Sequence, residues 1–327
     1  MKNCFLIFSL VLISINSYSQ NMYREKLAHT FSIVARDPVT GEMGVAVQSH
    51  WFSVGSIVSW GEAGVGVVAT QSFVNPSFGV RGLELLNAGR SPQEVVDELI
   101  SSDEGRDVRQ LAVLDTKGRS ASYTGKNCIP EAGNIAKENF SVQANMMLTD
   151  KVWSAMSEAF ENSSGPLAER LITALEAGQN AGGDIRGKQS ACLLIVNGES
   201  TGKVWEDRKI DLRVEDNPEP ITELKRLLKV YRAYEHMNRG DLAVEMQDMD
   251  LAMKEYSAAE EMFPDNLEMK FWHAVTLANT GKTDESLPLF TEVFKGDENW
   301  RILFSRLKGA GLLTISGEEI KKITDLR

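Results

Sequence analysis

His29-Thr-Phe-Ser-Ile-Val-Ala-Arg-Asp-Pro-Val-Thr-Gly-Glu-Met-Gly-Val-Ala-Val-Gln-Ser-His50 reads as two strands joined by a tight turn. Thr30 to Arg36 alternates small polar with apolar residues, Pro38-Val39-Thr40-Gly41 carries turn chemistry, and the alternation resumes from Gly44 to Gln48. A threonine opens the hairpin, and it has two readings. As a β-branched residue it suits the start of a strand. Made N-terminal by processing, it would hold nucleophile and base in one residue. The hydroxyl attacks while the freed α-amino group, of ordinary pKa about 7.7–8.0, takes the proton.

Outward from the hairpin toward the N-terminus, Met1 to Ser19 has the pattern of a secretory leader. Lys2 supplies the positive start, Cys4 to Ile15 is apolar, and Ser17-Tyr18-Ser19 puts small residues before the cut. The apolar run is shorter than the ~20 residues a spanning helix needs. The expectation is an exported, periplasmic or secreted protein with no membrane span. Residues 20–29 form a short propeptide or flexible arm. Cys4 stands at the beginning of the apolar run and not after it, so a lipid anchor is not expected. Cys128 and Cys192 remain in the mature chain, where an oxidising compartment would let them pair and burial would leave them as small thiols.

Toward the C-terminus, Val54 to Trp60 and Gly64 to Gln71 are rich in Val, Gly and Ala and read as further strands. Gly82 to Ala88 and Pro92 to Ile100 read as helices, the second with Ser91 as cap. Leu111 to Asp115 and Ser120 to Tyr123 form a second hairpin, and Phe140 to Met147 another strand. Asp150 to Glu161 and Pro166 to Ala177 carry helical spacing, and Ala191 to Asn197 and Ile210 to Val214 close with strands. Strands, helices, strands, helices, strands is the order that a four-layer αββα domain shows.

Four stretches in order, Thr30 to Pro38, Gly64-Val-Gly-Val-Val-Ala-Thr-Gln-Ser72, Gly182-Gly-Asp-Ile-Arg-Gly-Lys-Gln-Ser-Ala191 and Asp211-Leu-Arg-Val-Glu-Asp-Asn-Pro218, resemble the domain of unknown function 1028 family. The resemblance covers Thr30 to about Pro220. It implies an N-terminal-nucleophile hydrolase fold, an αββα sandwich, and no particular substrate. Many members of the family have a methionine directly before this threonine. This chain has 29 residues there, so exposing Thr30 requires a second cut, which relatives of the fold make themselves.

Asn217-Pro218-Glu219-Pro220 marks a boundary, and residues 221–327 are expected to be all helical. Ala252, Tyr256, Ala259 and Pro264, with Gly240 twelve residues before Ala252, match the spacing of a tetratricopeptide repeat. A weaker copy 34 residues on has Ala274, Phe290 and Val293, with Ser286 and Glu298 in place of the expected Ala and Pro. Such helices lean on the long helix expected from Ile221 to His236 and would grip a peptide or protein partner. A helical region that merely shares the spacing is the other reading.

Candidate site residues come from the same reading. Asp184 and Arg186 enter a buried strand flanked by glycines. They orient the nucleophile or grip a substrate carboxylate, or else form a loop-fixing ion pair. Ser32 shares a strand face with Thr30. Gln71, Asn75 and Asn145 are amides near strand ends that could donate to an oxyanion. His50, Gln189 and Ser190 are polar residues at or near strand ends that could line the cleft. Four histidines without metal-ligand spacing argue against a zinc site, and no phosphate-binding glycine loop supports a nucleotide, so no cofactor is expected. A net charge of −11 argues against nucleic acid. The function classes left are an exported amidohydrolase acting on an amide or peptide through Thr30, and a non-catalytic binding or assembly protein built on the sandwich.

Overall fold

The computed structural model describes residues 26–326. The expected leader and the first residues of the expected arm lie outside them. The chain divides into two compact units, one up to Lys225 and one from Arg226 on.

The first unit runs β1 (Lys26–Ala28), β2 (Thr30–Arg36), β3 (Met43–Ser49), α1 (Gly55–Val58), β4 (Ser59–Glu62), β5 (Gly66–Val74), α2 (Ser77–Asn87), α3 (Pro92–Ser101), β6 (Arg109–Asp115), β7 (Ser120–Thr124), β8 (Gly133–Lys137), β9 (Phe140–Ala144), α4 (Val152–Asn162), α5 (Leu167–Asn180), β10 (Ser190–Val196), α6 (Val204–Asp207) and β11 (Arg208–Val214), and ends in the first turns of α7 (Pro220–Glu245). Its strands form two antiparallel sheets. One has the order β11-β10-β3-β2-β9-β8; the other is β1-β5-β6-β7, with β4 also on β5. β6 takes one edge of β5, while β4 pairs Gly66–Ala69 and β1 pairs Ser72–Val74 along the other. β2 faces β5 across the two sheets, and β9 faces β6. α2 and α3 pack on the five-stranded sheet, and α4 and α5 on the six-stranded one.

Each layer follows from its residues. Thr30, Ser32 and Val34 alternate toward the other sheet, while Phe31 lies against Gly178 of α5. Val34, Val45, Val47, Val67, Ala69 and Leu194 make an apolar half of the space between the sheets. α3 opens with a capping box between Ser91 and Glu94 and buries Val95, Val96 and Leu99 against β6 and β7. Cys128 and Cys192 are both free and buried, and burial pushes the Cys192 thiol up to about 12.

Three sequence readings change. Lys26–Ala28, in the stretch expected to be a short propeptide or a flexible arm, is a strand paired to β5 and so not a flexible arm. Val54 to Trp60, expected to be one strand, is a helical turn followed by β4. Ser53 takes φ 57°, and the amides of Ser56, Ile57 and Val58 close back on Ser53 and Val54. Gly55 lets this turn lie directly on Cys192, whose Cβ stands 2.5 Å from where a side chain would begin. β8 had no reading at all: it is short and half exposed, and only its pairing to β9 through a two-residue turn with Asn139 at φ 67° makes it a strand.

The second unit is helical, continuing α7 with α8 (Met249–Met262), α9 (Leu267–Asn279), α10 (Thr283–Gly296), α11 (Asn299–Leu307) and α12 (Gly317–Thr324). Ala252, Tyr256 and Ala259 pack with Ala233, Met237 and Met269. Ala274, Phe290 and Val293 pack with Phe271, Phe294 and Phe304. Gly240 lies against the Tyr256 ring, where a Cβ would come within 2.6 Å. Among the described residues no helix is long and apolar enough to cross a membrane.

The tightest helix-to-sheet approach is testable. A Cβ on Gly79 of α2 would fall 2.2 Å from the Trp60 ring, whose indole N–H donates to Ile57 O at 3.1 Å. We expect Gly79→Ala to destabilise the chain by about 1–3 kcal/mol through overpacking, despite better helix propensity. Urea unfolding checks this, and an unchanged midpoint would contradict it.

Candidate functional site

Sheet register gathers the site. Thr30 pairs with Ser49, Ser49 with Ser190, and the Asn145 amide donates to Thr30 O at 3.1 Å. Asn145, Thr30, Ser49 and Ser190 therefore stand in one row at one end of the six-stranded sheet. On the facing sheet Gln71, Gln110 and Thr124 form another row by pairing.

The rows are tied together by hydrogen bonds. Ser32 Oγ donates to Gln71 Oε1 at 2.6 Å and accepts from Gln143 Nε2 at 2.6 Å. Gln71 Nε2 donates to Gln110 Oε1 at 2.6 Å and to Thr30 O at 3.1 Å. Asn145 Nδ2 reaches the same two acceptors, Gln110 Oε1 at 2.8 Å and Thr30 O at 3.3 Å. Gln110 Nε2 donates onward to Thr124 Oγ1 and to Ala144 O. Thr30, Ser32, Gln71, Gln110, Gln143 and Asn145 have no exposed surface. Their burial is sustained because their polar atoms pair with each other and with nearby backbone carbonyls.

The peptide bond before Thr30 has its own holders. His29 O accepts from Ser49 Oγ at 2.6 Å and from Arg186 Nη2 at 2.8 Å. Thr30 Oγ1 donates to Ala28 O at 2.8 Å. Arg186 is positioned in turn by Asp184, which accepts from Arg186 Nε at 3.0 Å and Nη2 at 2.7 Å in a bidentate pair. The same carboxylate accepts the backbone amides of His50 and Arg186, both at 3.0 Å. Its side chain is wholly buried, whereas that of Arg186 keeps 26% of its surface exposed. Gly182 and Gly183, at φ 131° and 59°, turn the chain off α5 so that this pair faces the row.

His29 is the hinge between the sheets, since β1 belongs to one and β2 to the other. Its ring meets Phe73 edge to face at 5.5 Å, and its Nδ1 lies 2.8 Å from Asn145 Oδ1. Burial lowers its pKa below the ordinary 6.5, only partly offset by the bond to Asn145, while the Arg186 charge lowers it further. The ring is therefore neutral, with Nδ1–H donating to the Asn145 oxygen.

Of the residues singled out from sequence, Thr30, Ser32, Gln71, Asn145, Asp184 and Arg186 come together. His50 adjoins them, its amide on Asp184 and its ring 3.4 Å from Lys188 O. Ser190 sits at the end of the row, where its hydroxyl bonds Trp51 O and takes the Val54 amide at 3.1 Å, fixing the turn into α1. Asn75 and Gln189 lie elsewhere. Asn75 Oδ1 receives the amide and hydroxyl of Ser77 in a side-chain turn just ahead of α2, and Gln189 Nε2 reaches Asp216 at 3.2 Å. Ser49, Phe73, Gln110 and Gln143 were missed. Only Ser49 had a local signal, as the strand residue opposite Thr30 in the first hairpin. A groove of about 1020 Å³ lies at the other end of the sandwich, lined by Arg36, Gly41, Glu62, Gly64 and Glu199, far along β2 from Thr30.

Residues 30–224 match the profile described as "Family of unknown function (DUF1028)". The chain belongs to the DUF1028 family. The crystal structure of a DUF1028 protein from Silicibacter pomeroyi is similar, with 32% identity over 62% of this chain and 88% of that one and a TM-score of 0.56. No curated protein matches the sequence. The match begins at Thr30, the residue on which the buried network converges.

Two outcomes follow from this geometry. Asp184→Asn replaces a buried acceptor of four donors with an amide, and we expect a loss of about 3 kcal/mol in urea unfolding. An unchanged midpoint would mean that the pair is dispensable. For His29, the folded pKa lies below the unfolded one, so its contribution to stability is full above about pH 6.5. It falls as the pH drops through that value and levels off once the folded value is passed. In a chain that keeps residue 29, His29→Gln should flatten the fall in melting temperature below pH 6.5; an identical slope would contradict this.

Proposed function

We propose that this protein is an exported amidohydrolase of the N-terminal-nucleophile kind, its stacked sheets and outer helices forming that class's αββα sandwich and Thr30 its nucleophile. One observation carries the reading. The carbonyl immediately before Thr30 is buried and held by two donors, Ser49 Oγ and Arg186 Nη2, one of them charged. Donors placed so would stabilise negative charge developing on that oxygen.

The chemistry is then self-contained. Thr30 Oγ1 attacks the His29 carbonyl carbon, and the oxygen becomes an oxyanion held by Ser49 and Arg186. The C–N bond breaks with the proton passing to nitrogen, leaving an ester on Thr30 and a free α-amino group. Water cleaves the ester and releases the segment that ends at His29. On substrate, the same hydroxyl attacks an amide carbonyl with the α-amino group as base, the amine departs protonated, and water again frees Thr30. Asp184 acts through Arg186 as a positioning residue. Gln71 and Asn145 hold the Thr30 carbonyl and so fix the nucleophile's backbone. The leader read from Met1 to Ser19 supports export, and the tetratricopeptide-like spacing of the helical unit supports a peptide or protein partner there.

The test is intact mass with amidase assay. Wild type should begin at Thr30. Thr30→Ala should retain the preceding residues and lose turnover, and Thr30→Ser should keep some of each because it keeps the hydroxyl. Undiminished turnover by Thr30→Ala would defeat the mechanism. A chain that stays uncleaved and inactive would leave the binding-protein reading.

A further inference from the structure

The segment ahead of Thr30 is seated as a substrate would be. Lys26–Ala28 lies antiparallel on β5 with Leu27 opposite Phe73 and Ala28 opposite Ser72. β4 ends its pairing at Ala69, so among the described residues β1 is the strand that pairs the Ser72–Val74 edge on that side. His29 then places a planar ring against Phe73 and a ring N–H on Asn145 Oδ1, and presents its carbonyl to Ser49 and Arg186.

Resting on the proposed function, we infer that the substrate is a peptide whose acyl side adds as an edge strand to Ser72–Val74, with a histidine-like side chain next to the cleaved bond seated between Phe73 and Asn145. In self-cleavage and in turnover the attacked carbonyl must occupy the same place relative to Thr30 Oγ1 and the two donors. The chain's own Lys-Leu-Ala-His is therefore a bound acyl half. Once it leaves, the edge at Ser72–Val74 loses its paired strand, while Phe73 O keeps its bond from Arg109 Nη1, and an open strand edge selects extended peptides. The left-handed conformation of Ser72, φ 71°, bends β5 where the edge turns toward the other sheet. Asn145 Oδ1 needs a donor when buried, so a side chain lacking one leaves it unsatisfied. With this segment in place His29 is 2% exposed and Thr30 not at all.

The step balances as before. The amide C–N bond of the substrate breaks, the acyl group becomes an ester on Thr30, the amine leaves with a proton, and water releases the peptide acid.

Full-length wild type, checked by intact mass, would be assayed with aminomethylcoumarin amides of acetyl-Lys-Leu-Ala-His, acetyl-Lys-Leu-Ala-Leu and acetyl-His, alongside a panel of non-peptide amides. We expect kcat/KM for the first to exceed each of the other two peptides by about tenfold or more. Phe73→Ala should shrink the His-over-Leu ratio; if that variant does not mature, the wild-type ratios stand alone. Protein that begins at Thr30 but hydrolyses acetyl-His amide or the Leu peptide equally well, or hydrolyses only the non-peptide amides, overturns the inference and leaves the hydrolase reading intact. Protein that neither sheds residues before Thr30 nor hydrolyses any amide overturns both.

Discussion

Burying polar side chains between two sheets obliges those side chains to satisfy one another, and that obligation organises this unit. An unsatisfied buried donor or acceptor costs about 1–3 kcal/mol. Ser32, Gln71, Gln110, Gln143 and Asn145 answer it with a continuous set of bonds that crosses from sheet to sheet. Such a set holds only in one register, because a slip of one residue would turn every one of these side chains to the opposite face. The apolar half of the same interface, around Val34, Val45, Val47 and Leu194, supplies the hydrophobic stabilisation but would tolerate more variation in packing. Specificity of register comes from the polar half, and Thr30 sits within it.

The position of Thr30 is set by its carbonyl more than by its hydroxyl. Three donors, the Asn145 amide, Asn145 Nδ2 and Gln71 Nε2, converge on Thr30 O. Two more hold the carbonyl one residue earlier. The chain is pinned on both sides of one peptide bond, at the point where it crosses from one sheet to the other. A crossing between sheets leaves no strand partner for that bond, so side chains must supply the donors. The Asp184–Arg186 pair makes contacts on two sides. It fixes the loop after α5, through the amides of His50 and Arg186, and it delivers a guanidinium to the His29 carbonyl.

The two open ends of the sandwich differ in what occupies them. At the Arg36 end the β2–β3 turn and the loop after β10, in contact at Gly41 and Gly198, line a groove together with Glu62 and Gly64. At the Thr30 end the chain's own β1 closes the gap and completes the edge of β5. A strand edge already paired within the chain is closed to pairing with other chains.

What local pattern can carry was legible in the sequence. The β2–β3 hairpin, the capped α3, the β6–β7 hairpin and the helical character after Pro220 rest on alternation, turn residues and caps within a few positions of each other. So do Asp184 and Arg186, two residues apart, and Ser32 on the face of Thr30. Val54 to Trp60 misled because its small and apolar residues equally serve a turn lying on Cys192, a contact made across more than 130 positions. Tertiary structure alone decided that Gln110 and Gln143 belong to the site, that the Asn75 side chain turns to Ser77 ahead of α2, and that Lys26–Ala28 is a strand. His29 and Asn145 are 116 positions apart, and Arg186 lies 157 positions from the carbonyl it holds. No periodicity spans such distances; sheet pairing does, because each register fixes which residues from remote strands share a row, and only then do their hydrogen bonds select the arrangement in which none of that row is left unpaired.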